Sequence, residues 1–275
     1  DMVYLSDDEM REVTGSDTYY GGTYDEGEAH CHPLNYALGI AKAALSAGAK
    51  IYENSPATSY KVLDDHVRVN TKNGSIKADR IVLACNGYLE NLEKSLTSKI
   101  LPMNNYIVAT KPLDDEMVQK INPKDIAFAD SRFVINYFRM SADKRLLFGG
   151  GENYSQELSK NIVPIVTKPL EKIYPFLKGV KIDYAWGGKL AITMNRLPFF
   201  TTLKKERVIS AQGYSGQGVA LASYSGKIVS EKILGNGEVF DIMAKIPRQS
   251  FPGGRFLRNP SMKIGMLYYS LLDRI

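Results

Sequence analysis

The chain has 275 residues, 44% of them hydrophobic and 24% charged, and a net charge of +5. That length supports one large or two smaller domains around a substantial core, and a modest charge without a long Lys/Arg run disfavours nucleic acid as a partner. Two cysteines, Cys31 and Cys85, argue against a secreted disulfide scaffold, and without a signal peptide or an apolar run of membrane-spanning length the cytoplasm is the expected compartment.

In chain order, residues 1–25 read as a short helix and an irregular link, with Ser6 and Glu9 placed for a capping box. His32-Pro33 opens a helix whose residues Leu34, Ala37, Leu38, Ala41, Ala44 and Leu45 share one face, and Gly48 ends it. A strand is predicted over Ala49–Glu53. An alternating run follows, containing Val67 and Val69, with a turn at Lys72-Asn73-Gly74. Ala78–Cys85 reads as an apolar strand buried on both faces. From Leu101 the character becomes β-rich: Tyr106–Thr110, Phe133–Met140 and Arg145–Gly149, the last two joined by Ser141-Ala142-Asp143-Lys144. A helix is expected over Val163–Ile173, ending before Pro175, and a strand-like stretch runs from Gly188 to Pro198. Near Arg207 the α/β pattern resumes with the strand Val208–Ala211, a glycine turn and a helix from Val219 to about Leu234, closed by Gly235. The pattern is therefore α/β plus α+β, with a β-rich segment inserted into one α/β domain. The tail from Gly237 is mixed and basic, and Met266–Ile275 could form an amphipathic helix.

The turn Gly213-Tyr214-Ser215-Gly216-Gln217-Gly218 is the principal candidate site. It brings backbone N–H groups and the positive end of a helix to one place, which suits a phosphate or the electron-rich edge of a ring cofactor. Tight packing alone would also account for its glycines. His30-Cys31-His32 contains metal-ligand types, but a zinc site needs about four ligands and the remaining His and Cys are His66 and Cys85, so no metal is expected. Cys85 reads as a small core residue. Gly213–Gly216 is not a G-x-S-x-G elbow, and no His follows it. Gly149-Gly150-Gly151 suits a bulge better than a phosphate loop. Trp186-Gly187-Gly188 pairs a flat ring with room for close backbone approach. No G-x-G-x-x-G occurs anywhere in the chain.

Several segments together resemble the FAD-dependent amine and amino-acid oxidases, the D-amino-acid oxidase-like group, and within it the gamma-glutamylputrescine oxidases. They are Gly27–Tyr36, Ala78–Gly87, Asn136–Arg139, Arg145–Gly150, Tyr184–Gly188, Asn195–Pro198, Gly213–Val219 and Phe251–Gly254. The resemblance implies a partial FAD/NAD(P)-binding-type domain from residues 1–100 and 203–240. An antiparallel-sheet substrate domain, 101–202, would be inserted in it, with 241–275 as a tail. It implies cofactor contacts from Ala57 near the adenine, from Ala84, Asn86 and Gly87, and from Gly187 and Gly188. The turn residues Gly213, Tyr214, Ser215, Gly216, Gln217, Gly218 and Val219 would face the flavin's pyrimidine end. Tyr137, Arg139 and Trp186 would line the substrate pocket.

Three departures refine this expectation. Amino-acid oxidases of the group carry an arginine just after the Trp-x-Gly segment; here Lys189-Leu190 stands there, and the next arginine is Arg196. That favours a small-molecule amine without an α-carboxylate, oxidised to an imine with dioxygen reduced to peroxide. No cysteine lies in the C-terminal half, so FAD should be non-covalent. The family's N-terminal βαβ unit with its pyrophosphate fingerprint is missing, so these residues alone are expected to bind FAD weakly or not at all. The alternatives are a flavin dehydrogenase of an amino acid passing electrons to a quinone, and a non-catalytic binding scaffold.

Overall fold

A computed structural model describes residues 2–151, 157–254, 257, 260 and 263–265. Strand β1 (Met2–Leu5) leads into helix α1 (Asp7–Thr14). Ser6 accepts from the Glu9 amide, and the Glu9 carboxylate accepts from the Ser6 amide at 2.8 Å, so the predicted capping box forms. Strand β2 (Gly22–Asp25) returns antiparallel to β1, and helix α2 (Pro33–Ser46) follows. Strands β3 (Ser59–Val62), β4 (Val67–Asn70) and β5 (Ser75–Ala78) make an antiparallel sheet in that order. Next come β6 (Ile81–Leu83), α3 (Lys94–Thr97), β7 (Leu101–Thr110), α4 (Asp115–Ile121), β8 (Phe128–Ala129), β9 (Tyr137–Met140), β10 (Leu146–Gly149) and α5 (Val163–Ile173). The last elements are β11 (Ile182–Ile192), β12 (Phe199–Leu203), β13 (Val208–Gln212), α6 (Gly218–Ile233) and α7 (Glu238–Ala244).

The chain divides into two compact units. The first takes residues up to Ala37 and Asn104–Gly188. Its main element is a sheet in the order β11-β7-β10-β9-β8. Alternation puts Phe138, Met140, Leu146 and Phe148 on one face, buried against Val166, Leu170, Ile173 and Tyr174. Phe138 stacks on Phe148 at 5.6 Å and on Phe128 at 4.9 Å, and Tyr174 meets it edge-on. The second unit takes Leu38–Met103 and Lys189–Gly265. Its sheet runs β12-β13-β6, with β6 parallel to β13. Ile209 and Ala211 pack on Ile228, Val229 and Phe240, while Val208 packs with Leu83, Leu89 and Phe199.

Three expectations need correction. The predicted strand Ala49–Glu53 does not form; those residues are exposed and pair with no described strand. A strand needs a partner for its N–H and C=O groups, which an apolar run cannot supply by itself. Helix α2 forms over the expected residues but buries none of them among the described ones. Strand β6 is shorter than expected and buried on one face only, since Val82 is 40% exposed. The two compact units change over after residues 37, 103 and 188. Residues up to Ala37 join the β-rich unit because α1 is tied to it: Ser16 donates to the Ile173 carbonyl at 2.7 Å and Tyr174 to the Thr14 carbonyl at 2.9 Å. Residues Lys189–Leu203 join the other unit because β12 pairs with β13. The segment Met266–Ile275 lies outside the described residues. Among the described residues, no helix is long and apolar enough to cross a membrane.

Candidate functional site

In the second unit the parallel strands β6 and β13 end in adjacent turns. Asn86 sits in the left-handed region at φ 49°, which asparagine tolerates better than most residues. Its Oδ1 accepts from the Gly213 amide at 3.1 Å, locking one turn to the other. Gly213 has φ 81°, and a Cβ there would lie 2.6 Å from Thr193 Cγ2. The Ser215 amide donates to the Ala191 carbonyl at 2.9 Å, and Ser215 Oγ accepts from the Thr193 amide at 3.3 Å. Tyr214 is buried and donates its hydroxyl to the Ala211 carbonyl. The turn is thus held from below by fixed partners.

Its outer side is open. Gly216 has φ 100° with nothing within 4 Å of where a Cβ would stand. Gln217 makes no side-chain cap on α6, and Gly216, Gln217, Val219 and Ala220 are exposed. The first turn of a 16-residue helix therefore presents its amides and positive dipole end to open space. Behind the turn, Gln212 is wholly buried and donates to Ser210 Oγ at 2.8 Å, leaving its Oε1 without a partner. Beside it, Ala84 is exposed and Gly87 buried. A Cβ on Gly87 would come within 2.4 Å of the Lys189 carbonyl oxygen. The Lys189 amide donates to Tyr88 Oη at 3.1 Å, and its ammonium lies 3.5 Å from Glu90. Burial pushes the Cys85 thiol up, which suits its reading as a core residue rather than a nucleophile.

In the first unit, Tyr137 and Arg139 lie on the sheet face opposite the core, as the alternation of β9 requires. The Tyr137 ring covers Gly149, whose Cβ would fall 2.1 Å from it, and its hydroxyl donates to Asn105 Oδ1. Burial pushes the Tyr137 phenol up to about 12. Arg139 donates to the Cys31 carbonyl at 2.8 Å and to the Met140 carbonyl at 3.0 Å. Trp186 is 44% exposed. The Cβ position of Gly187 falls on the Tyr106 ring, so the flanking Trp186 and Gly188 turn to the other face of β11.

Asn86, Gly87 and Gly213–Val219 are brought together in the second unit, and Tyr137 and Arg139 share a face in the first. Ala57 lies in the exposed link before β3, and no described contact joins it to the glycine turn. His30 Nε2 bonds the Asp125 carbonyl at 2.9 Å, His32 Nδ1 accepts from the Asn35 amide, and Cys31 is exposed. Sequence reasoning missed Gln212, Thr193, Tyr88, Glu90 and Asn105. Tyr88 and Glu90 stand directly after Asn86-Gly87, the nearest thing to a signal; the others are ordinary strand residues.

The chain belongs to the FAD-dependent oxidoreductase family, whose profile it matches over residues 1–232. It is 36% identical over 275 residues to the gamma-glutamylputrescine oxidoreductase of Escherichia coli, covering 100% of this chain and 64% of that protein. It is 37% identical over 269 residues to the probable oxidoreductase OrdL of Haemophilus influenzae, covering 96% and 61%. The chain therefore spans less than two thirds of the length of these relatives. Its fold resembles the glycine oxidase of Geobacillus kaustophilus, with a TM-score of 0.76 at 20% identity, covering 90% of this chain and 67% of that one. It also resembles the L-proline dehydrogenase of P. horikoshii, with a TM-score of 0.68 at 22% identity, covering 84% and 64%.

The residues present fit one end of a flavin. The uncapped α6 terminus and the open space at Gly216 offer amide donors and a positive field to carbonyl oxygens and to a ring that gains negative charge on reduction. No G-x-G-x-x-G offers the same to the pyrophosphate.

Proposed function

We propose that these residues are part of an FAD-dependent amine oxidoreductase acting on a primary or secondary amine without an α-carboxylate. The observation that carries this reading is the open, uncapped N-terminus of α6 behind a turn anchored by Asn86 and Ala191. Bound flavin would supply the acceptor for the hydride on the carbon next to nitrogen. The α6 amides would stabilise negative charge on its pyrimidine end. Gly213, Tyr214, Ser215, Gly216, Gln217, Gly218 and Val219 are the proposed contacts, with Ala84, Asn86, Gly87, Gly187 and Gly188; Ala57 is the proposed adenine contact.

Tyr137 stays protonated at every physiological pH and is held by Asn105, so its ring serves as a fixed wall. Trp186 offers a flat apolar face, and Arg139 keeps the Cys31 carbonyl in place. Lys189, tied to Glu90, stands where an arginine would hold a carboxylate, which supports an amine over an amino acid. The Cys85 thiol, beside the Asn86–Gly87 turn, is raised by burial, which supports non-covalent flavin. The name of the Escherichia coli relative makes a gamma-glutamylated diamine the first substrate to try.

The test is oxygen uptake and peroxide release by the product of the complete gene, supplied with FAD and a panel of amines and amino acids. Turnover of gamma-glutamylputrescine or a simple amine in air is expected. Preference for an α-amino acid, or turnover only with an artificial electron acceptor, would overturn the substrate or the oxidase half of the reading.

A further inference from the structure

A cavity lies wholly within the first unit. It has a volume of about 570 Å³ and is lined by consecutive residues of β2, Gly22–Asp25, and of β8 with its flanks, Ile126–Asp130. Its size is that of a ligand pocket. Among the described residues both strands are sheet edges: β2 is paired only with β1, and β8 ends the five-stranded sheet. Consecutive residues on both walls are the signature of strand edges, because a strand face would contribute every second residue. The hydrogen bonds agree. The Asp130 amide donates to the Asn136 carbonyl on the β9 side at 2.9 Å, so by alternation the Ala129 amide points away from β9.

The slot has two chemically different sides. Its floor is apolar, from Met10 and Val13 of α1, with Tyr19 and Phe128. The Tyr19 hydroxyl is buried and has no hydrogen-bond partner. Its rim carries Asp25, Glu26, Glu28 and Asp125, with Lys124 and the imidazole of His30, which lies 3.6 Å from Asp125. Among the described residues no ion pair engages Glu26 or Glu28.

We propose that this slot accepts an extended polypeptide strand, with apolar side chains on the floor and Lys or Arg side chains at the rim. Such a strand would pair its backbone with both free edges, joining the two sheets. It would give the Tyr19 hydroxyl its missing partner. Small cations lack the backbone donors and acceptors that two edges demand.

The test is fluorescence anisotropy of the 275-residue protein with a labelled hexapeptide of alternating lysine and valine. Saturable binding is expected, weakened at least tenfold when alternate peptide amides are N-methylated or when lysine is replaced by glutamate. Ala129→Pro removes one slot-facing donor on an edge strand that tolerates proline, and should weaken binding about tenfold. E26Q/E28Q, on exposed side chains, should weaken it about threefold at low salt. Tyr19→Phe should leave the free protein's unfolding midpoint unchanged and weaken binding about threefold. Equal binding of the N-methylated or glutamate peptide would overturn the proposal. So would indifference to both Ala129→Pro and E26Q/E28Q, or a dimer that excludes the peptide.

Discussion

The glycine turn of the second unit and the Tyr137 face of the first hold their polar groups in opposite ways. In the turn, side chains and carbonyls of Asn86, Ala191 and Ser215 fix the backbone from behind, and the amides of the α6 terminus are left facing outward. On the sheet face the side chains that look catalytic are already engaged: Tyr137 on Asn105, and Arg139 on the carbonyls of Cys31 and Met140. The difference teaches that residue type alone is a poor guide to which groups are free for a ligand. A glycine turn advertises its geometry, because only glycine fills a left-handed position cheaply. An arginine does not advertise its partner.

The largest effect that would break this comparison is expected at Gly213. Gly213→Ala combines an unfavourable φ with a 2.6 Å contact to Thr193, and should cost about 3 kcal/mol, read as a lowered urea midpoint. An unchanged midpoint would mean that the turn is not fixed from behind. Asn86 separates strain from bonding. Asn86→Ala loses the bond to the Gly213 amide and puts alanine at positive φ, for about 2 kcal/mol; Asn86→Gly loses the bond alone, for about 1 kcal/mol. Equal losses in the two variants would remove the argument from φ.

Arg139→Met should lower stability by about 1 kcal/mol, because it releases the Cys31 carbonyl at a part-exposed site. No change in stability would return Arg139 to the pool of groups free for substrate. A further effect is confined to alkaline solution. Tyr137 has its folded-state pKa raised from 10.0 to about 12 by burial, so its stabilising contribution is complete below pH 10 and is lost between pH 10 and about 12. Tyr137→Phe should flatten that part of the stability profile, followed by circular dichroism across the window.

Much of the fold was legible where the cause is local. The Ser6–Glu9 box, the Pro33 start, the bounds of α5 and the Gly235 stop each depend on residues within one turn of each other. What failed depends on distant partners. Ala49–Glu53 has strand composition but no neighbour to pair with, and α2 has an apolar face with nothing described against it. The attachment of α1 to the β-rich unit could not be read, because the bonds that make it join Ser16 to Ile173 and Thr14 to Tyr174. At the site, the turn was legible from its glycines. Gln212 was not, since a glutamine ending an apolar strand carries no mark of being buried with an oxygen to spare.

The parallel pairing of β6 with β13 also sets a clock. Ser210 and Leu83, bonded across that pair, are 127 residues apart in sequence. At a synthesis rate of roughly 5–20 residues per second, β6 leaves the ribosome about 6–25 s before its partner exists. For most of that interval Leu83 lacks Val208 and Phe199, against which it will be buried. The neighbouring β7, β9 and β10 need no such wait, since all three are made within it. Strands β7, β9 and β10 are thus free to pair on the nascent chain before β6 meets β13.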